Sequence, residues 1–383
     1  MKCKLSDICD FRKGKVEVEN LNAKNYISTE NMLPNKCGIT EASSLPTVSS
    51  TQEYNSGDVL VSNIRPYFKK IWQAQYDGGC SNDVLVFVPK PNTDKDFLYY
   101  VLADDDFFTY SMVTSKGTKM PRGDKNSIMQ YEVPLIDLQV QKKIASVLKV
   151  LDEKIELNNE INNNLEQQAE AIFQSILSNA ITTVNLGEIA DVKGGKRLPK
   201  GVNLTDIPNA HPYIRVRDLN NALFASLTPN YAYVDKETQK SISRYIVSTG
   251  DVLISIVGTI GLTAIVDSTL DKANLTENCV KVTNLKHMTP EYLLLYLRSQ
   301  LGREAIAKGT VGAVQQKLPI KNIQAIPIPL LSEKDKNALF CTLDSIFAGI
   351  SNNVIQSAKL ASLRDTLLPR LMSGELDVSD IDL

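Results

Sequence analysis

The chain has 383 residues, of which 43% are hydrophobic and 22% are charged, a balance typical of a folded protein with two or three domains rather than a disordered or fibrous one. Its net charge of −2 argues against a protein that coats nucleic acid along its length, because such binding grows with the number of phosphates neutralised. No run of about 18 apolar residues and no apolar leader is present, so the sequence predicts a cytoplasmic protein with no membrane partner.

Residues that would indicate catalysis or metal binding are missing. The six cysteines form no C-x-x-C pair, and His211 and His287 have no histidine or cysteine neighbour at ligand spacing. We therefore expect reduced thiols and no metal site. A phosphate-binding G-x-x-x-x-G-K-[ST] loop, a G-x-S-x-G elbow and the motifs of an adenine methyltransferase are also absent. The sequence predicts no catalytic residues, no cofactor and no enzymatic activity.

The first part of the chain predicts short strands followed by a helix. The segment KLSDICDFRKGK begins at Lys4. Two later segments, SGDVLVSNI (Ser56–Ile64) and SNDVLVFV (from Ser81), each contain a turn followed by a β-branched run, which predicts a strand. A helix is predicted at FLYYVLADDDF, from Phe97, with its three aspartates at a solvated helix end. A glycine and threonine loop, KGTKMPR, and a proline-bearing extended segment from Glu132 come next.

The stretch from Gln139 to about Leu177 predicts one long helix, because its apolar residues recur at the a/d spacing of a coiled-coil seam. A second stripe of the same spacing lies 195 residues further on, and both carry an asparagine at the same step, Asn158 and Asn353. A polar seam position fixes register and partner, so we expect the two helices to pack on each other; the alternative is two unrelated amphipathic helices of a large core. The predicted seam residues are Ile144, Leu148, Leu151, Ile155, Asn158, Leu165, Ile172, Leu339, Leu343, Ile346, Ile350, Asn353, Leu360 and Leu367.

The second half repeats the order of the first. NLGEIADVKGGK answers KLSDICDFRKGK, TGDVLISIV answers SGDVLVSNI, and ENCVKVT, from Glu277, answers SNDVLVFV, from Ser81. A helix, PEYLLLYLRSQLGREAIA, is predicted with Thr289 as its N-cap and Pro290 in its first turn. KGTVGAVQQK and IPIPLLS then lead into the second long helix. The sequence therefore predicts a duplication of one mixed α/β globule and one long helix.

Basic windows without acidic residues recur in both halves, at residues 59–76, 107–123 and 192–201. Such a window is most often only a solvated surface, but its recurrence favours a DNA-facing role, with lysines on phosphates and Arg or Gln on base edges. The candidate DNA-binding residues are Arg65, Lys69, Lys70, Lys116, Lys119, Arg122, Lys196, Arg197, Lys200, Arg215, Arg217, Gln315, Gln316 and Lys317. For Arg215 and Arg217, the outer face of a strand is an equally open interpretation.

GDVLIS, GTIG, the KGT loop, IPIPLLSEKDK and LRDTLLPRLMSGELDV closely resemble the DNA-specificity subunit of type I restriction-modification enzymes over essentially the whole chain. The resemblance implies an α+β fold with two tandem mixed α/β target-recognition domains, residues 1–137 and 181–331. It further implies two long antiparallel coiled-coil helices between them, residues 138–180 and 332–373, a pseudo-twofold internal repeat, and a tail at 374–383.

The same resemblance implies a non-catalytic subunit that reads an asymmetric bipartite site in double-stranded DNA. Two modification (methyltransferase) subunits and the restriction subunits would be its partners in adenine methylation and restriction. The first half departs from the pattern, because VLVSNIRPYF stands in place of VLISIVGTIG and KGTKMPR lacks the QQK end, so the loop roles transfer less directly there. The alternative interpretation is a two-lobed coiled-coil adaptor that binds no nucleic acid.

Overall fold

A computed structural model describes residues 2–220, 222–228, 231–312 and 315–378. Met1, Ala313 and Val314 of the second KGT loop, and residues 379–383 of the predicted tail lie outside the described residues. The chain divides into two compact units. Unit 1 is Met1–Leu157 with Gln356–Leu383, and unit 2 is Asn158–Ile355.

Unit 1 is built from short strands and helices that precede the first long helix, α5, of which only the residues up to Leu157 belong to this unit. In chain order the elements are β1 (Lys2–Lys4), α1 (Leu5–Ile8), β2 (Cys9–Phe11), β3 (Lys15–Glu17), β4 (Tyr26–Ile27), β5 (Ser50–Tyr54), β6 (Val59–Ser62), β7 (Ile71–Gln73), β8 (Gly78–Cys80), β9 (Val84–Pro89), α2 (Lys95–Ala103), α3 (Asp105–Val113), α4 (Lys125–Ile128), β10 (Glu132–Pro134) and α5 (Leu138–Leu177). One sheet has the order β2-β9-β6-β7 and a second has β3-β5-β8-β4, while β1 pairs with β10.

Strand β6 lies inside the first sheet, which explains why its first three residues, Val59, Leu60 and Val61, are all apolar. Val59 and Val61 point into one hydrophobic cluster, whereas Leu60 points into another. Successive side chains of a strand face opposite sides of the sheet, so a strand covered on both sides shows no polar alternation. Asp58, before the strand, is buried and accepts from the backbone N of Asn55 at 2.8 Å, which closes the turn.

Unit 2 has a similar set of elements. They are β11 (Thr182–Asn185), α6 (Leu186–Ile189), β12 (Asp191–Gly194), β13 (Pro212–Ile214), β14 (Phe224–Ala225), β15 (Ala232–Tyr233), α7 (Lys236–Ile242), β16 (Val252–Ser255), β17 (Thr263–Val266), β18 (Asn274–Leu275), β19 (Cys279–Thr283), α8 (Pro290–Arg298), α9 (Gln300–Gly309), α10 (Ile320–Gln324), β20 (Pro327–Leu330) and α11 (Glu333–Met372). The sheets have the orders β12-β19-β16-β17-β14 and β15-β13-β18, and β11 pairs with β20. Asp251 closes the turn before β16 as Asp58 does before β6, by accepting from Ser248 N at 2.9 Å.

Each predicted helix after the strands is two helices, so the prediction of one continuous helix in each half is wrong. Asp104 separates α2 from α3, and Ser299 separates α8 from α9; both residues have extended backbones and accept a hydrogen bond as N-caps. Short polar side chains compete with helical backbone bonding in this way, although the apolar pattern runs on. Asp104 caps α3 and the exposed Asp105 and Asp106 lie in its first turn, so the three aspartates do lie at a solvated helix end, the start of the second helix; Asp105 accepts from Lys69 at 2.7 Å.

Within unit 2, parts of the two long helices lie side by side. Asn353 Nδ2 donates to Asn162 Oδ1 at 2.8 Å, and Leu165 lies beside Gly349, whose added Cβ would meet the leucine at 3.6 Å. Residue numbers rise along α5 while they fall along α11. The two segments therefore run in opposite directions.

Unit 1 contains the other parts of both helices. Ile144 and Leu148 of α5 share a hydrophobic cluster with Leu368 and Leu371 of α11. In both units the residues of the predicted seam are buried or half-buried, whereas the intervening Leu157 is exposed.

Helix α11 contains an 18-residue window with a mean hydropathy of 1.3, so by length and composition alone it is apolar enough to cross a membrane. Its apolar residues pack in the main hydrophobic clusters of both units. Leu339, Leu343 and Ile350 belong to the main cluster of unit 2, and Leu368 and Leu371 to that of unit 1. Core packing accounts for the composition of this helix.

Candidate nucleic-acid interface

In unit 1, the loop after β6 is joined to the second predicted basic window. Ile64 forms a β-bridge with Arg122, and Arg122 and Lys116 exchange two backbone hydrogen bonds of 2.9 and 3.0 Å. The backbone N of Arg65 donates to Pro121 O at 2.8 Å. Three of the predicted cations, from segments far apart in sequence, therefore meet at one junction, which we call the unit 1 junction (residues 63–65 and 116–122).

Most predicted cations of unit 1 have a polar partner. The ion pairs are Lys69 with Asp105 (2.7 Å), Lys116 with Asp124 (2.6 Å) and Arg122 with Asp83 (3.0 Å). Lys70 donates to Thr29 O at 2.6 Å, and its burial lowers its pKa. The hydrogen bond from Lys116 lowers the pKa of Asp124 to about 2. Ion pairs near water contribute little stability, so these lysines can exchange a carboxylate for a phosphate at small cost.

Unit 2 has a junction with the same backbone pairing as the unit 1 junction. Val257 forms a β-bridge with Lys317, and Lys317 and Val311 exchange two backbone hydrogen bonds of 2.9 Å each. Lys317 thus takes the place in this unit 2 junction (residues 256–258, 311–312 and 315–317) that Arg122 takes in unit 1. The sequence predicted that KGTKMPR departs from the pattern because it lacks the QQK end. This departure is only partial, since Arg122 supplies a basic residue at the position that Lys317 occupies in unit 2. Gln315 and Gln316 are exposed beside Lys317.

Three more predicted residues of unit 2 gather around the segment Leu275–Glu277. Lys196 N donates to Leu275 O at 2.8 Å, and Arg197 Nε lies 2.7 Å from Glu277. Arg215 follows Ile214, whose carbonyl accepts from Thr276 at 3.1 Å. Lys200 is exposed nearby in sequence.

The strand interpretation of Arg215 and Arg217 is wrong, because β13 ends at Ile214 and a 3₁₀ turn follows. Asp218 at the end of that turn accepts from Arg215 Nε and Nη2 at 2.9 and 3.0 Å. These two hydrogen bonds engage the Arg215 guanidinium, whereas the side chain of Arg217 is 70% exposed. Of the two, Arg217 is better placed to meet a phosphate.

Two aromatic residues next to the unit 1 junction were not among the predicted site residues. Tyr67 and Phe68 are 47% and 37% exposed, and their ring centroids lie 4.7 Å apart. Exposed rings on a basic surface suit contacts with bases or sugars. The signal was present in RPYFKK, where two aromatic residues stand between an arginine and two lysines.

The described residues offer little for catalysis. No group of three or more His, Cys, Asp or Glu side chains able to hold a metal ion occurs among them. Burial raises the pKa of Cys9, Cys80 and Cys279 to about 12. These thiols therefore stay protonated at neutral pH and are poor nucleophiles.

The sequence matches a family model described as type I restriction modification DNA specificity domain twice, at residues 1–167 and 180–359. The type I restriction enzyme HindI specificity subunit of Haemophilus influenzae is 23% identical over an alignment of 442 positions, which spans 92% of this chain and 94% of that protein. The MjaIX specificity subunit of Methanocaldococcus jannaschii is 22% identical over 324, covering 77% of this chain and 72% of that one. The crystal structure of the S subunit of a type I restriction-modification system from M. genitalium has a similar fold, with a TM-score of 0.59 at 16% identity, covering 99% of this chain and 96% of that one.

Proposed function

Because the chain belongs to the family of type I restriction-modification DNA specificity subunits, we propose that it recognises a bipartite, asymmetric DNA site, one part with each unit. As a member of that family it is a DNA sequence-recognition subunit and carries no catalytic activity of its own. Methylation of adenine and restriction are then the work of its partner subunits. The adaptor alternative is not favoured, since both copies of the family model are DNA specificity domains.

The junction in each unit supports this function best. In each junction, the loop after a central strand, β6 or β16, pairs with a hairpin from later in the chain. A basic residue of that hairpin, Arg122 or Lys317, forms the bridge to the loop. The residues around that bridge differ between the units, with Arg65 and Lys116 in one and Gln315 and Gln316 in the other. Different side chains on one scaffold would read different bases, which gives an asymmetric site.

We also propose that the chain is an internal repeat with pseudo-twofold symmetry, whose long helices form an antiparallel coiled coil. The target-recognition domains would be residues 1–137 and 181–331, with spacer helices at 138–180 and 332–373 and a tail at 374–383. Matching backbone bonds support the repeat: Asn63 N to Asp83 O and Ile256 N to Asn278 O, both 2.8 Å. These bonds align Asp83 with Asn278, one residue away from the alignment of Ser81 with Glu277 that the sequence suggested.

The partners in this proposal are double-stranded DNA, two modification subunits and the restriction subunits, with assembly in the cytoplasm. The test is to purify the chain with its modification subunits and to map methylated adenines in DNA exposed to the complex. We expect one split sequence with two different halves. A complex that forms but methylates without sequence preference would contradict the proposed function.

Lys317 is expected to contact a phosphate, because it is exposed and central to the unit 2 junction. In the assembled complex, Lys317→Gln should weaken binding to all sequences alike and lower the slope of log affinity against log salt by about one. Fluorescence anisotropy of a labelled duplex across salt concentrations measures this slope. Lys240→Gln is the control, since Lys240 is an exposed lysine of helix α7 outside the three basic windows. An unchanged slope for Lys317→Gln would remove this residue from the interface.

A further inference from the structure

Arg65 has a left-handed backbone conformation, with φ 50° and ψ 65°, which side chains other than glycine rarely adopt. The equivalent position in unit 2 is occupied by Gly258, with φ 82°. The residue before each forms the bridge of its junction: Ile64 with Arg122, and Val257 with Lys317. Glycine makes this turn without strain, so the turn itself does not require an arginine. The turn therefore does not explain the arginine side chain at this position.

The guanidinium of Arg65 lacks partners in the part of the chain that the structure describes. Its Nε is buried with no hydrogen-bond acceptor, although the residue as a whole is half-buried. By contrast, Lys69, Lys116 and Arg122 each have a carboxylate within 3.0 Å. The buried Nε is therefore an unsatisfied donor, which is unfavourable, and none of the described residues engages the terminal Nη1 and Nη2 groups, which remain available to a ligand.

The position of Arg65 suits a base edge better than a phosphate. Its backbone N donates to Pro121 O at 2.8 Å, and the next residue, Pro66, is buried, so the main chain on both sides is fixed. Fixed placement favours direct reading, whereas the exposed Lys116 and Lys119 on the same junction suit phosphates. An arginine fork matches the O6 and N7 acceptors of guanine in the major groove.

We propose that Arg65 reads one guanine in the half-site bound by unit 1, by donating two hydrogen bonds to O6 and N7. This inference rests on the proposed DNA-recognition function. It goes further by assigning one base preference to one side chain, and it assigns the strained backbone at residue 65 to that role.

The test selects bound duplexes from a randomised library with the complex of this chain and its modification subunits, followed by sequencing. Arg65→Gly, which introduces the residue found at position 258, should reduce the preference for guanine at one position by about 10- to 100-fold. Arg65→Lys should do the same, because lysine keeps the charge but lacks the planar fork. All other positions, in both half-sites, should be unchanged. Lys119→Gln is the matched control and should lower affinity for every sequence without altering the preference.

A thermal melt of each variant separates this role from a structural one. Glycine relieves the left-handed backbone, so Arg65→Gly should not lower the melting temperature. A uniform loss of affinity in Arg65→Gly, or an unaltered preference, would overturn the assignment to guanine. A wild-type complex with no sequence preference would overturn the proposed function, and this inference with it.

Discussion

Replacing Asp152 by alanine is expected to lower the free energy of unfolding of unit 1 by about 2 to 3 kcal/mol. Arg364 Nη1 donates to Asp152 Oδ1 at 2.6 Å, and Tyr100 Oη donates to Oδ2 at 2.7 Å. The side chains of Arg364 and Asp152 are only 20% and 28% exposed, so removing the carboxylate leaves a guanidinium and a phenol without their acceptor. Burial alone would lower the pKa of Arg364, but Asp152 raises it above its ordinary value.

Urea unfolding of the full chain, followed by circular dichroism, measures the effect. The matched control is Asp365→Ala, since Asp365 accepts from the same arginine at 2.8 Å but is 55% exposed; its loss should cost no more than about 1 kcal/mol. The double variant Asp152→Leu with Arg364→Met should recover most of the lost stability, because two apolar groups replace both charges together. If the effects of Asp152→Leu alone and Arg364→Met alone simply add in the double variant, the pair is not coupled.

The coarse fold prediction is confirmed: the chain has two recognition domains with mixed helix and sheet content. The patterns behind it are local. β-Branched runs after Gly-Asp turns predicted β6 and β16, and heptad spacing predicted helices where α5 and α11 lie. These signals are strong because burial imposes one period over many residues.

Features that depend on a single side chain or on contacts between distant segments could not be predicted from sequence. The breaks at Asp104 and Ser299 rest on one capping side chain each, and an apolar stripe hides them. The pairing of Asp152 with Arg364 joins residues 212 positions apart, and no periodic signal marks Asp152. The candidate DNA-binding residues remain predictions. The structure adds which of them meet at a junction, and that Arg215 is already engaged by Asp218.

The proposed coiled coil makes a second prediction, in which the two long helices set the gap between the half-sites. The contact of Asn162 with Asn353 shows where matched insertions belong: seven residues after Asn162 and seven after Asn352. Inserted segments would then face each other, and a heptad restores the a/d phase on both sides. Each helix lengthens by about 10.5 Å, close to the rise of about 3 base pairs at 3.4 Å each.

Methylation mapping with the double-insertion complex should therefore find both half-sites unchanged in sequence and the gap between them longer by about 3 base pairs. Binding should weaken, because 3 base pairs turn the DNA groove by about 100° at about 10.5 base pairs per turn, whereas a heptad turns an α-helix by only about 20° from its starting phase. Four residues inserted after Asn162 alone should instead disrupt the seam and prevent assembly, since the apolar stripes no longer face each other. An active double-insertion complex with the original gap would mean that these helices do not set the spacing, and that the two halves of the site are positioned by the partner subunits.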